Sequence, residues 1–269
     1  MKKISAWRWG LRVFSEYLYP ALCISCREER PLGMTTGEYV MKTDPDGVLR
    51  QCFCARCYSD FLVSRGVKCH TCGKPYSICE CAPPPLAKAG VTRTYACFAY
   101  EKERRKSASS KLIYSLKSAE NRDSVNFASH LLASRIRGVC GDDLADVTLT
   151  FAPRGSKNVR LNGGDHMKMT AKLTSRLLGC DFADIFRNGS HGEQKLRGAD
   201  ERAAASSTIK LKRGVNVSGR RFIIIDDIIT SGATLGACAG LLYNDAGADE
   251  VSVFALAKTA RRNRSELGT

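Results

Sequence analysis

The sequence predicts an α/β domain with a mostly parallel sheet flanked by helices, preceded by a compact cysteine-rich region. Beyond residue 90, short β-branched and aromatic runs alternate with helical stretches, the order expected of parallel strands joined by crossover helices. One of those runs, Phe222 to Ile225, delivers two carboxylates into a hydroxyl-rich turn that opens a helix. Nine of the thirteen cysteines lie between Cys23 and Cys81, so the chain has two compositions. A length of 269 residues leaves room for one large domain and a small appendage. The triple proline at 83–85 marks the boundary, dividing the chain into 1–85 and 86–269.

Taken in order, Trp7, Leu11, Phe14 and Leu18 form the apolar stripe of an amphipathic helix that stops at Pro20. Residues 27–51 carry Gly33, Gly37, Pro45 and Gly47 without periodicity and read as an inserted loop. Val91 to Tyr100 is a strand, followed by the basic stretch Lys102 to Lys106. Helices follow through Leu112 and Leu116 and from Asp123 to Arg137. Val147 to Ala152 is a buried strand that stops at Pro153, and 165–178 is a helix. After Arg187 the chain turns polar, with Gly189, Gly192 and Gly198. Phe222 to Ile225 is a strand, Thr234 to Asp245 a helix and Val251 to Ala257 a strand.

The formal net charge of +15 suits a polyanionic partner: nucleic acid, an acidic membrane surface or a polyphosphate ligand. Lys2 and Lys3 begin the chain, but Arg8, Arg12 and Glu16 interrupt the apolar residues, so no cleavable signal core forms. Nor is there an apolar run of the ~20 residues that a spanning helix needs. These features place the protein in a reducing cytoplasm, where clustered cysteines hold metal more often than they form disulfides.

Two such sets are predicted. Cys23-x2-Cys26 with Cys54-x2-Cys57 makes one, and Cys69-x2-Cys72 with Cys79-x-Cys81 makes the other. A two-residue gap lets both sulfurs reach one ion, and four thiolates complete the tetrahedral shell of structural zinc, giving a zinc-ribbon-like region with one or two ions. An iron–sulfur cluster also takes four cysteines. Cys52 is then spare, and His70 stands inside the second knuckle as a substitute ligand or an exposed loop residue. All-thiolate closure leaves no open coordination position, so the metal is structural or part of a binding surface, not catalytic.

The chemistry lies in Asp226-Asp227-Ile228-Ile229-Thr230-Ser231-Gly232-Ala233-Thr234. Ligands of open α/β sheets bind at the C-terminal ends of the strands. Backbone amides from Ile229 to Ala233 can converge on a phosphate, Gly232 permits close approach, and the positive end of the helix favours the anion. Thr230, Ser231 and Thr234 add hydroxyls. Carboxylates repel phosphate, so Asp226 and Asp227 suit the ribose hydroxyls, directly or through Mg²⁺ with its preference for oxygen. A strand ending in two aspartates also suits a Walker B element, but no GxxxxGK[ST] loop occurs.

The apolar run, acidic pair and Thr-Ser-Gly-Ala-Thr resemble the signature of type I phosphoribosyltransferases at every position. Together with the paired cysteines, Pro153-Arg154, the Gly163-Gly164-Asp165-His166 turn and Gln194-Lys195 with Glu201-Arg202, they resemble the ComF family over roughly residues 7–262. Tyr114 to Lys117 resembles that family's early helix. Asn162 and Gly164 depart from its Arg-Gly-Phe-(Asn/Asp)-(Gln/His) turn, and Ala205 replaces an Asn. The resemblance implies a type I phosphoribosyltransferase fold, a pyrophosphate loop at Pro153 to Lys157 and a flexible cover from Arg187 to Arg213. Arg154 and Lys195 would then meet the diphosphate, with Lys157 and Arg202 contributing, while Arg187 and Arg197 add to the basic cover.

The reaction so implied displaces pyrophosphate from the ribose anomeric carbon, with Mg²⁺ and cations holding the leaving group. The acceptor is not legible. Two further readings stand beside the enzyme. One is a sensor that binds 5-phosphoribosyl diphosphate without turnover. The other is a single-stranded DNA-binding factor, because the family is named for competence in DNA uptake; Tyr95, Phe98, Tyr100 and Tyr114 near Arg104, Arg105 and Lys111 read either as core, the commoner place for such residues, or as a stacking surface.

Overall fold

The computed structural model describes residues 22–29, 52–102, 104–117, 122–154, 164–188 and 209–260. The predicted helix at 1–20, most of the loop at 27–51 and the polar stretch at 189–208 lie outside them. Five strands form a parallel sheet: β1 (Thr94–Tyr100), β2 (Val147–Phe151), β3 (Asp181–Phe182), β6 (Arg221–Ile229) and β7 (Glu250–Thr259). Their spatial order is β1-β7-β6-β2-β3. A separate antiparallel pair, β4 (Phe186–Asn188) and β5 (Ile209–Leu211), brackets the polar stretch. The fold class is the expected one.

Helices cover both faces, as a parallel sheet buried on two sides requires. On one face lie α1 (Ala55–Gly66), α3 (Ala108–Lys117), α4 (Arg122–Cys140) and α5 (His166–Leu178). On the other lie α2 (Pro84–Lys88) and α6 (Ala233–Gly240), the latter continued by a π-helical turn, Leu241–Asp245. Alternation along β6 supplies both cores: Ile223 and Ile225 enter the first, Phe222 and Ile224 the second. The ladder between β6 and β7 pairs Asp226 with Ala255 and resumes at Ile228 with Ala257. Past that break, Ile228 joins the first core and Ile229 the second, so the alternation shifts by one at the acidic pair.

Cysteine-rich and α/β segments share a core. Phe53 and Phe61 stack at 5.1 Å, and Phe61 meets Phe98 of β1 at 5.1 Å and Phe127 of α4 at 5.9 Å. Cys23, Ile24 and Cys57 belong to the same cluster. The second cysteine set packs on the sheet's β1–β7 edge instead, with Cys69, Tyr76 and Cys79 around Ala99 and Ala260. Among the described residues, no helix is long and apolar enough to cross a membrane.

Candidate functional site

The chain leaves β2 towards β3 on one side of the sheet and leaves β6 towards β7 on the other. A crevice therefore opens between the C-terminal ends of β2 and β6, the topological switch point at which α/β sheets take ligands. Arg154 follows β2 there, and Asp226 and Asp227 end the apolar part of β6.

The two carboxylates meet different surroundings. Asp227 Oδ2 lies 3.5 Å from Arg154 Nη2 and 3.5 Å from His166 Nε2. Its Oδ1 accepts from the Ile228 amide at 2.8 Å, whereas Oδ2 is buried and makes no hydrogen bond. Burial opposes ionisation of Asp227, but His166, Arg154 and Lys117 outweigh it and hold the carboxyl below its usual range. For Asp226, burial and then the adjacent Asp227 charge push the pKa well up. Its Oδ1 accepts from the Asp227 amide at 2.8 Å, and it faces the buried Cys238 of α6.

His166 is fully buried at the first position of α5, where Asp165 caps the helix by accepting from the Met167 and Lys168 amides. Arg154 Nη1 lies 2.7 Å from His166 Nδ1 and 3.2 Å from its Nε2, so the guanidinium, which can only donate, is in reach of both ring nitrogens. The residues form a closed triangle of arginine, histidine and aspartate. His166 and Lys117 were not among the predicted site residues. The signal for His166 was its place beside a helix-capping aspartate, directly downstream of the strand that delivers Arg154.

The loop after β6 has the expected form. Ile229 is buried, while Thr230, Ser231 and Thr234 expose their side chains. Gly232 takes the left-handed conformation, φ 77°, at the N-cap of α6, where a glycine offers no side-chain cap; the Ala233 amide makes a long contact of 3.4 Å to Ser231 Oγ, and the first turn is otherwise open to an external acceptor. Two glycines allow α2 to press against this loop from behind. A Cβ on Gly232 would lie 3.1 Å from Pro83 Cβ, and one on Gly236 would lie 2.7 Å from the Pro85 carbonyl oxygen. Lys157, Lys195 and Arg202, with Gln194, Arg197 and Glu201, lie outside the described residues. Arg187 is exposed on β4.

Both predicted cysteine sets assemble. Cys23, Cys26, Cys54 and Cys57 bring their sulfurs within 4.8 Å of one another, and so do Cys69, Cys72, Cys79 and Cys81. Cys26 and Cys54 sulfurs stand 3.6 Å apart, far beyond the ~2.05 Å of a disulfide and close to the ~3.8 Å edge of a tetrahedron with ~2.3 Å zinc–sulfur bonds. The donor sets fit zinc. Burial would raise the Cys23 thiol, but the Cys26, Cys54 and Ser25 amides bring it down to about 7; the Cys72 and Thr71 amides do the same for Cys69, also about 7. Cys52 belongs to neither set, and His70 is exposed, its Nδ1 3.5 Å from the Tyr76 hydroxyl.

A cleft of about 330 Å³ joins the second cysteine set to the loop, lined by His70, Tyr76, Pro83, Thr230, Lys258 and Thr259 among others. Of the four aromatic residues expected to stack bases, Tyr95 and Phe98 are buried, Tyr100 is half-buried, and Tyr114 is exposed.

No protein family model matches the chain, and no curated protein matches it either. Among solved structures it is similar to a purine phosphoribosyltransferase from Pyrococcus horikoshii Ot3, at 21% identity over 50% of this chain and 72% of that one, with a TM-score of 0.31. An adenine phosphoribosyltransferase from Leishmania tarentolae matches at 17% identity over 54% and 74%, TM-score 0.31. A phosphoribosylpyrophosphate synthetase from Mycobacterium smegmatis matches at 22% identity over 48% and 33%, TM-score 0.30.

Proposed function

We propose that this chain is a ComF-like protein of the type I phosphoribosyltransferase fold that binds 5-phosphoribosyl diphosphate with Mg²⁺ and transfers its phosphoribosyl group to an acceptor. One observation carries the reading: at the switch point, two carboxylates run directly into a left-handed glycine and an uncapped helix start, with an arginine across the crevice. A sugar bearing hydroxyls between a phosphate and a diphosphate satisfies all of these groups together. The 5-phosphate takes the amides from Ile229 to Ala233 and the hydroxyls of Thr230, Ser231 and Thr234. Asp226 and Asp227 take the ribose hydroxyls, and Arg154 takes the diphosphate, with Lys157, Lys195 and Arg202 adding positive charge.

The all-oxygen donor pair, with Asp227 Oδ2 buried and without a hydrogen bond, fits Mg²⁺. When bound, that ion would draw charge from the leaving diphosphate. Arg154 exchanges Asp227 for the diphosphate as ligand enters, and His166 keeps the guanidinium aimed into the crevice. The leaving group lies on the β2 side, so an in-line acceptor arrives from the β7 side, where the cleft beside Thr230 has room for a single small molecule. The bond from the anomeric carbon to the diphosphate oxygen breaks as the acceptor's bond forms; the diphosphate leaves with the electron pair, and the acceptor's proton passes to solvent.

Titration calorimetry with phosphoribosyl diphosphate and Mg²⁺ tests binding, and pyrophosphate release against a panel of nucleobases and amines tests transfer. Binding is expected to vanish in Asp226→Asn/Asp227→Asn while bound zinc is unchanged. A wild-type chain that binds no sugar diphosphate overturns the proposal, and binding without release for any acceptor marks a sensor. Single-stranded DNA is a second reading, favoured by Tyr114, which is 47% exposed with the Lys117 ammonium 5.9 Å over its ring. DNA affinity should then fall steeply with salt; a flat response argues against it.

A further inference from the structure

Lys258 lies on β7, 5% exposed, outside every role assigned above. Its ammonium donates to the carbonyl oxygens of Thr94 at 2.6 Å, Cys79 at 3.0 Å and Cys81 at 3.2 Å. Three acceptors match the three N–H groups of an ammonium, whereas a neutral amine would leave one of them unpaired; burial works against the charge. Among the described residues no carboxylate pairs with it. A buried cation without a counter-charge is costly. The nearest source of negative charge is the second cysteine set, with Cys79 Sγ at 3.9 Å.

Two of the three carbonyls belong to cysteines of that set, and both lie in its tightest segment. A two-residue knuckle such as Cys69-x2-Cys72 organises itself, because its own amides turn back onto the first sulfur. Cys79-x-Cys81 is one residue shorter: the Cys81 amide turns back onto the Cys79 sulfur alone, and the arm is held further from outside. Thr94 Oγ1 donates to the Cys81 carbonyl at 2.8 Å, the Thr94 amide donates to the Glu80 carbonyl at 3.0 Å, and Lys258 supplies the rest. Among the described residues the first set has no equivalent: the cation beside it there is Arg56, whose side chain is 74% exposed and paired with Glu28 at 2.8 Å.

We propose that Lys258 is the positioning residue of the second metal centre, holding the Cys79-x-Cys81 arm against the sheet and offsetting the charge of its thiolates. Zinc with four thiolates carries a net charge of about −2, which a buried ammonium in contact halves. The second centre thus depends on the sheet edge beside Thr230, while the first depends on its own knuckles and the aromatic core. The inference rests on the reading that both cysteine sets hold zinc.

The test uses the full chain, elemental analysis for zinc per chain, and the kinetics of zinc release to a chromogenic chelator. Wild type is expected to carry two zinc ions released in two phases. In Lys258→Met one phase should accelerate about tenfold or more, the usual scale for loss of an outer partner of a metal ligand, with the other unchanged. Lys258→Arg, which keeps charge and donors, should retain both ions. If Lys258→Met does not fold, Lys258→Gln, which keeps N–H donors without the charge, is read in its place with the same expectation. Cobalt substitution counts the tetrathiolate centres that remain, and Cys72→Ser, which removes a ligand of the second centre alone, identifies the accelerated phase by its absence. Two ions with both phases unchanged in the neutral variants overturn the role of Lys258, and so does loss of the ion from Lys258→Arg. A wild-type chain with fewer than two ions instead overturns the two-zinc reading on which the inference rests.

Discussion

The two faces of the sheet are built to different ends. The first is wide and aromatic: Phe53, Phe61, Phe98 and Phe127 interlock beneath α1, α3 and α4 and enclose the first cysteine set. The second is narrow, with Ala239, Ala255 and Cys238 in its core and α2 pressed onto Gly232 and Gly236. The acidic pair straddles the two. Asp227 turns to the side that carries Arg154, His166 and Lys117 and is held ionised, while Asp226 turns to the tight apolar side and is pushed towards its protonated form. One strand end thus offers a permanent carboxylate and a titrating one, because neighbouring residues on a strand face opposite environments.

The largest effect that tests this contrast is loss of the aromatic face. Phe61→Ala should cost about 3–5 kcal/mol in denaturant unfolding and release zinc from the first cysteine set together with the fold. Stability falling with that metal retained would separate the first centre from the core. On the narrow face, Gly236→Ala places a methyl against the Pro85 backbone, where overpacking costs about 1–3 kcal/mol. Sugar-diphosphate affinity should drop with it as α2 shifts behind the loop; unchanged affinity would show that α2 does not set the loop's shape.

Smaller effects separate the carboxylates. Asp227→Asn leaves Arg154 without its counter-charge and should cost about 2 kcal/mol at neutral pH. Asp226→Asn removes a crowded like charge and should leave stability equal or higher. The pH dependence has a definite sign. A carboxyl whose folded pKa is raised contributes stability that is fully present below its unfolded value and lost as pH rises through the folded one. Asp227, lowered in the fold, does the reverse: its contribution is present above the unfolded value and is lost as pH falls through the folded one. The melting temperature of Asp226→Asn should therefore exceed that of wild type most above the raised Asp226 value, with the gap closing as pH falls from that value towards the unfolded one. A constant gap would remove Asp226 as the titrating partner.

Local patterns in the chain were readable because their causes are local. Phe222 to Ile225 needed only its apolar run to read as a strand, and Asp226 to Thr234 needed only residue types in order. The two cysteine sets were legible from spacing, since a two-residue gap alone brings two sulfurs to one ion. Observed helices overlap the expected ones, 122–140 against 123–137 and 166–178 against 165–178. Short elements without a period of their own, α2, β3 and the β4–β5 pair, were not foreseen, because packing rather than propensity makes them; nor was α1, twelve residues that begin inside the Cys54-x2-Cys57 knuckle.

By itself, then, the sequence determined the fold class, the strand–turn–helix around Asp226 to Thr234 and the two cysteine sets, the last two of them consequences of residues close together in the chain. Only the tertiary structure decided that Arg154 and His166 close on Asp227, that Tyr95 and Phe98 are core residues, and that Lys258 reaches Cys79 across 179 residues. Those contacts follow from the order in which strands lie side by side, and strand order is set by how helices cover the sheet's two faces.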